Sequence, residues 1–249
     1  MILFVFEGKK REPQLYHALE RLFFPKETDC IICSFGNNIY ELYKQITQLG
    51  DGADIVSVLR ERLEGSEDNP LKDITTSSAF AEIYLFFDYD LHHCLPLEEI
   101  NRRLREMLVL FNDETTNGRL YINYPMIESI RYTKELPDAD YYLYTILKEQ
   151  CGGFKHIAHD FSAYDSLDFL TDIRERRIDA TKLNWQHLKD MNVCKANYIC
   201  CGSNTYPKQK SDIDQQTIFE FQLQKYINTD DCSVAILNAF PIFLYDYFK

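Results

Sequence analysis

The chain has 249 residues, of which 45% are hydrophobic and 27% charged, and its formal net charge is −12. This composition is typical of a globular protein with one or two domains and a sizeable core. The negative charge disfavours indiscriminate nucleic-acid binding, because phosphate affinity comes from Lys and Arg, but it is compatible with a local basic groove or a bound cation. No apolar run approaches the length of a membrane span. Met1 leads directly into a strand-like segment without a cleavage site, so we expect a cytoplasmic protein.

The eight cysteines show no disulfide or zinc pattern. Cys30 and Cys33 form a C-x-x-C pair, but the pair lies inside a strand-like segment. A redox pair normally opens a helix, and a zinc site needs a second pair. We therefore expect eight reduced thiols without catalytic roles, most of them buried.

Short apolar segments alternate with helical patterns in the first half of the chain. The four predicted strands are residues 2–7, 30–35, 83–87 and 119–123. Apolar residues at helical spacing predict helices that begin at Glu12-Pro13, cover 39–49, run from an Asp54 cap to about Leu63, and cover 97–111. Residues 65–79 are polar and rich in turn formers, which predicts a loop. This alternation indicates an α/β fold with a mostly parallel, four-stranded sheet.

The pattern changes after about residue 136. Helical periodicity then dominates residues 140–150, 166–177, 180–191 and 214–227, and the apolar tail 233–248 predicts a helix that packs back on the body. We therefore predict an α/β domain over residues 1–135 and a mainly helical C-terminal region over 136–249.

Acidic residues stand where three of the predicted strands end. Glu7 follows the first strand, Asp88 and Asp90 end the third, and Glu128 lies in a helical turn after the fourth. Ligands of open α/β sheets bind outside the carboxyl ends of the strands. Two carboxylates two residues apart point along one face of an extended chain and repel each other unless a cation lies between them. The pattern is compatible with a divalent metal, but Asp also commonly starts turns and caps helices.

Three segments carry a family resemblance. The segment FVFEGKKREPQLYHAL resembles the first motif of TOPRIM proteins of the RloB-like and OLD-type group, where E-G-x-x-x-E-P-x-Y recurs; LFFDYD resembles the second motif, and NYPMIESI resembles the third. The resemblance covers roughly residues 2–132. The chain departs from the pattern at Arg11, where relatives often have Thr.

The resemblance implies a Rossmann-like TOPRIM domain with a C-terminal helical extension. It further implies a Mg²⁺- or Mn²⁺-dependent nuclease that cleaves DNA or RNA, tRNA included, as the toxic effector of an anti-phage defence system with an ATPase partner. Carried over by position, the metal ligands are Glu7, Asp88 and Asp90, and the supporting catalytic acids are Glu12 and Glu128. A basic residue late in such domains corresponds by proximity to Arg131 or Lys134.

The flanking residues have two interpretations each. Lys9, Lys10 and Arg11 are placed to contact substrate phosphates, but they also fit a solvated turn. Glu12 can also be a purely structural acid in the first turn of a helix, where its charge interacts favourably with the helix dipole. Glu128 can also be a solvated helix residue. The pair His92-His93 fits a loop better than a ligand set, because hard metals favour oxygen. The run Arg174–Arg177 fits a charged helix face or a nucleic-acid contact.

Two other function classes remain open. One is a catalytically silent TOPRIM-like subunit that docks on a partner protein; a homo-oligomer is compatible with this class and with the nuclease. The other is a flavodoxin-like enzyme that handles nucleotides, which is disfavoured because the segment EGKKRE holds a single glycine.

Overall fold

A five-stranded sheet forms the centre of the molecule. The computed structural model describes residues 1–50, 54–66 and 69–248. The strands of this sheet are Ile2–Phe6 (β1), Cys30–Ser34 (β2), Glu82–Asp88 (β3), Asn112–Asp113 (β4) and Gly118–Asn123 (β5). They lie in the order β2-β1-β3-β5-β4, and only β4 runs antiparallel to its neighbour. The α/β class and the mostly parallel sheet are as predicted, but the sheet has five strands where four were predicted, because the short strand β4 is added at its edge.

Helices connect the parallel strands. They are α1 (Arg11–Phe23), α2 (Ile39–Leu49), α3 (Ile55–Arg62) and α4 (Leu97–Leu110). The predicted cap of α3 is confirmed, because the Asp54 side chain accepts a hydrogen bond of 2.7 Å from the Val56 amide. The predicted loop at 65–79 includes residues 67 and 68, which lie outside the described residues; its end forms a 3-10 turn, Ser77–Ala79.

One face of the sheet is aromatic and is covered by the C-terminal helix. Phe4 and Phe86 belong to this face, because alternate residues of a strand point to the same side. The ring of Phe243, in helix α10 (Ala239–Tyr247), lies 5.7 Å from Phe4 and 5.5 Å from Phe86. The expectation that the apolar tail packs back on the body is confirmed.

The C-terminal half contains a second, two-stranded sheet as well as helices. Strand β6 (Thr145–Leu147) pairs antiparallel with β7 (Ser233–Ala235). The helices that precede α10 are α5 (Lys148–Cys151), α6 (Phe154–Phe161), α7 (Asp168–Thr171), α8 (Ile178–Cys201) and α9 (Gln215–Gln222), and α9 continues as a π-helical turn over Leu223–Ile227.

Two of the predicted helical segments are wrong in part. Residues 140–150 form a 3-10 turn, strand β6 and the start of α5, because the β-branched and aromatic residues there find a partner strand more than 80 residues later in the chain. Residues 166–177 are helical only over α7. The predicted boundary at 135/136 stays a prediction, although the buried apolar residues on both sides of it form one continuous cluster.

All eight cysteines are free thiols, as expected. Only three of them are buried, so the expectation that most are buried is wrong. Among the described helices, none combines the length and the apolar character that crossing a membrane requires.

Candidate metal centre

Three carboxylates meet at the carboxyl edge of the sheet. Glu7 directly follows β1, Asp88 ends β3, and Asp90 lies two residues further on. One oxygen of each lies within 4.8 Å of one oxygen of the others. Because β1 and β3 are adjacent and parallel, with Phe6 paired to Phe86, their ends place these acids side by side. The structure thus brings together the three predicted metal ligands.

Two of the three carboxylates are oriented by hydrogen bonds that use one oxygen each. Glu7 Oε2 accepts a bond of 3.0 Å from the Asp88 amide, and Asp88 Oδ1 accepts a bond of 2.9 Å from the Asn123 side-chain amide. The side-chain oxygen of Asn123 accepts from the Ala239 amide at 3.0 Å, so Asn123 is itself fixed. Glu7 Oε1 and Asp88 Oδ2 remain for a ligand.

Asp90 reaches the cluster through a turn. The predicted geometry, two carboxylates on one face of an extended chain, is wrong because β3 ends at Asp88. Asp90 has φ of 49°, in the left-handed region, where Asp is tolerated better than most residues. Its amide donates to the Pro125 carbonyl at 3.3 Å and its carbonyl accepts from the His93 amide at 2.8 Å. The turn therefore brings the second aspartate back toward Glu7.

The cluster concentrates three carboxyl groups in a small space, where Asp88 is buried and Glu7 and Asp90 are half-buried. Burial and the neighbouring charge of Asp90 raise the pKa of Glu7 to about 9. Burial, and then the charge of Glu7, raise the pKa of Asp88 well above its usual range, and burial also raises the pKa of Asp90. None of the ion pairs within the described ranges includes any of these three acids.

Glu12 is buried and supports the turn after β1. Its Oε1 accepts a hydrogen bond of 2.9 Å from the Gly8 amide. A Cβ atom at position 8 would lie 2.6 Å from Glu12 Oε2, so a side chain there would displace the Glu12 carboxylate from this contact. Burial raises the pKa of Glu12, and the charge of Glu128 raises it further. Glu12 is thus held at the border of the cluster.

Glu128 is also buried, and it forms an ion pair with Arg11. It lies on a 3-10 turn, Ile127–Arg131, which confirms the predicted helical turn after the fourth parallel strand. The pairing gives Arg11 a structural partner at the position where proteins with the similar motif often have Thr. Of the three residues predicted to contact phosphate, Lys9 and Lys10 are exposed and belong to no ion pair among the described residues.

The histidines lie at the margin of the site. His93 Nδ1 accepts a hydrogen bond of 3.3 Å from the Leu95 amide, as part of a turn. Neither His92 nor His93 belongs to the group whose atoms can share a metal.

The basic run Arg174–Arg177 lies in the C-terminal half of the chain. There, Arg174 and Arg177 form ion pairs with Asp172, at 2.5 and 3.8 Å.

Residues that sequence reasoning missed hold the site together. Asn123 lies in the segment that matches the third motif, but only its pairing with Asp88 across β5 and β3 reveals its contact. Asn238 donates to Ser129 Oγ at 2.9 Å and to the Ile127 carbonyl at 3.2 Å, which secures the turn that carries Glu128. No local sequence signal connects Asn238 to this turn, 109 residues earlier.

The donor set fits a hard divalent cation. All three side chains offer carboxylate oxygen, which Mg²⁺ and Mn²⁺ prefer, and none of the described Lys or Arg side chains forms an ion pair with them. Buried carboxylates that repel one another are expected to hold protons or to bind a cation. Glu7, Asp88 and Asp90 are therefore the residues that would hold a metal.

Comparisons of this chain with protein-family models, with curated proteins and with solved structures found no match.

Proposed function

We propose that the acidic cluster binds Mg²⁺ or Mn²⁺ and that the protein is a metal-dependent nuclease of the TOPRIM type. The observation that carries the proposal is the meeting of Glu7, Asp88 and Asp90 at the ends of adjacent parallel strands, without an ion-pair partner in the described chain. The resemblance of three motifs to TOPRIM proteins, with the matching acids at this one edge, supports the same class.

The chemistry follows from the residues present. A divalent metal at such a site neutralises charge on a phosphate and lowers the pKa of a bound water. Glu7 and Asp88 each keep one oxygen for this ligand, while the Asp88 amide and Asn123 fix their orientation. Glu12 and Glu128, buried beside the cluster, act as supporting acids. Lys9 and Lys10, exposed on the turn after β1, contact the substrate backbone.

The cellular setting of the proposal rests on the motif resemblance. RloB-like and OLD-type proteins imply a toxic effector of anti-phage defence that acts with an ATPase. This part is tested by co-purification of the chain with the product of a neighbouring ATPase gene.

The metal site is tested by titration calorimetry with Mg²⁺ and Mn²⁺ on the wild-type chain, Glu7→Ala and Asp88→Ala. We expect binding by the wild type and a loss of at least about tenfold in affinity in each variant, because each removes a ligand. Glu98→Gln serves as the matched control, since Glu98 is an exposed acid of α4.

Hydrolysis is tested on the same four proteins with DNA, total RNA and tRNA, with Mg²⁺ or Mn²⁺ and with the partner ATPase. We expect cleavage by the wild type and Glu98→Gln only. Metal binding by the wild type without cleavage of DNA, total RNA or tRNA would reject the proposed nuclease activity and favour a catalytically silent docking subunit. Absence of metal binding would reject the site itself.

A further inference from the structure

The turn that carries Asp90 is in contact with helix α2. Tyr40 lies in the first turn of that helix and is buried, and its hydroxyl donates a hydrogen bond to the Tyr89 carbonyl. The Tyr40 ring also lies 4.9 Å from the ring of His93, whose amide donates to the Asp90 carbonyl. A side chain about 50 residues earlier in the chain therefore contacts the backbone next to a candidate metal ligand.

The peptide group between Tyr89 and Asp90 is fixed at both of its polar ends. Its carbonyl accepts from Tyr40, and its N–H donates to the Pro125 carbonyl at 3.3 Å. Because a peptide group is planar, these two bonds fix the orientation of the plane, and rotation of this plane about the Asp90 N–Cα bond is the φ angle of Asp90. The observed φ of 49° is uncommon for a residue with a side chain and persists only where the surroundings fix it.

Tyr89 is also fixed by helix α4. Its side chain is fully buried, and its hydroxyl donates a hydrogen bond to Asn101 Oδ1. Tyr89 is therefore bonded at its carbonyl to a residue of α2 and at its hydroxyl to a residue of α4. These two bonds attach the residue before Asp90 to both helices.

We propose that Tyr40 is a positioning residue of the metal centre, which acts through Tyr89 to keep Asp90 in the left-handed conformation and its carboxylate beside Glu7 and Asp88. This inference rests on the proposed function, because it assigns Tyr40 a part in metal binding. The carboxylates of Glu7 and Asp88 are oriented by hydrogen bonds to their own oxygens. The Asp90 carboxylate accepts no hydrogen bond from the described residues, so its position depends on its backbone.

The Tyr40 hydroxyl matters because the left-handed conformation is unfavourable by itself. Without this hydroxyl, the Tyr89–Asp90 peptide is free to rotate, and Asp90 relaxes toward a negative φ, which L-residues prefer. The rotation changes the direction of the Asp90 side chain relative to β3. Loss of a group that orients a metal ligand typically lowers metal affinity about 10- to 100-fold.

The test compares Tyr40→Phe with Tyr43→Phe by titration calorimetry with Mg²⁺ and with Mn²⁺, at a temperature where circular dichroism shows each protein folded. Tyr43 is the matched control, because it lies on the same helix and its hydroxyl also donates a hydrogen bond, to Glu106 Oε2 at 2.6 Å. We expect Tyr40→Phe to bind both metals about tenfold more weakly than the wild type. Tyr43→Phe should bind them as the wild type does.

Urea denaturation of the same proteins separates positioning from a purely structural role. Each substitution removes one hydrogen bond and lowers stability, but only a loss of positioning lowers the metal affinity of the folded chain. Reduced stability of Tyr40→Phe with unchanged metal affinity would overturn the inference. If Tyr40→Phe does not fold, Tyr89→Phe replaces it, since this variant releases Tyr89 from Asn101. Wild-type metal affinity in Tyr89→Phe would then overturn the positioning of Asp90 through Tyr89.

Hydrogen exchange of the metal-free proteins, followed by mass spectrometry, tests the turn independently of metal. The amides of Asp90 and His93 are hydrogen-bonded, so we expect segment 89–95 to exchange faster in Tyr40→Phe than in the wild type or Tyr43→Phe. A wild-type chain that binds no metal would reject the proposed function. Faster exchange confined to Tyr40→Phe would then leave the positioning of Asp90 by Tyr40 standing, whereas unchanged exchange would overturn it as well.

Discussion

At the scale of single residues, the carboxylates of the metal centre compete for protons. The unfolded-state pKa of Glu7 is near 4.5, and burial beside Asp90 raises the folded-state value to about 9. Between these pH values the metal-free folded chain holds a proton that the unfolded chain has released. The contribution of Glu7 to the free energy of unfolding therefore falls as pH rises through this window.

A divalent cation opposes this loss of stability at higher pH, because it binds the ionised carboxylates and displaces their protons. We predict that Mg²⁺ raises the melting temperature more at about pH 8.5 than at about pH 6, since fewer protons must then be displaced. The measurement is thermal unfolding with and without Mg²⁺ at both pH values. Glu7→Gln should show a smaller pH dependence, because Glu7 no longer titrates, while Asp88 and Asp90 retain their own contributions. An equal Mg²⁺ effect at both pH values in the wild type would contradict the assignment.

At the scale of secondary-structure elements, helix α10 both closes the core and builds the site. Its Phe243 is fully buried against the aromatic face of the sheet, with ring distances of 5.0 Å to Tyr84 and 5.7 Å to Tyr121. At its N-terminal end, Asn238 caps the helix and binds the turn that carries Glu128 and Arg131. Packing of this one helix therefore couples stability to the geometry of the carboxyl edge.

Phe243→Ala should lower the free energy of unfolding by about 3–5 kcal/mol, because it leaves a cavity among the surrounding rings. Leu183→Ala on α8 is the control; Leu183 is 55% exposed, and its loss should change stability by less than about 0.5 kcal/mol. Urea denaturation measures the free energy of unfolding of both variants and of the wild type. Similar, small effects for the two variants would show that α10 adds little to the core.

At the scale of the whole molecule, the α/β sheet and the C-terminal half share one apolar core. Residues from β1 through α10 belong to a single buried cluster, and Tyr124 pairs with Leu237 through two backbone hydrogen bonds of 2.8 and 3.0 Å. Removal of the C-terminal half would expose the aromatic face of the sheet and release the turn with Glu128.

We therefore predict that a chain truncated after residue 135 does not fold cooperatively, because its aromatic sheet face loses the cover of α10. Circular dichroism during heating, and size-exclusion chromatography at equal concentration, compare it with the full chain. The expected result is a broad or absent transition with aggregation. A monomeric fragment with a sharp transition and retained Mg²⁺ binding would show that residues 1–135 are an independent domain.

The elements of the α/β part are largely determined by local sequence. Apolar runs such as 83–87 form strands because they bury side chains on both faces of a parallel sheet, and helical spacing fixes α2 and α4 in the same way. Acids at the ends of such strands can be assigned to one edge of the sheet from the sequence alone, because parallel strands align their carboxyl ends. The prediction of Glu7, Asp88 and Asp90 as neighbours rests on that alignment together with the motif resemblance.

Other features depend on contacts between distant parts of the chain. Asp90 joins the cluster through a left-handed turn, Asn123 contacts Asp88 only through the pairing of β3 with β5, and residues 145–147 become a strand because residues 233–235 pair with them. The burial of Arg131, which belongs to no ion pair among the described residues, is equally non-local, since residues 159–165 contact the turn after β5. Local propensity carries no information on such contacts, so only the tertiary structure decided them.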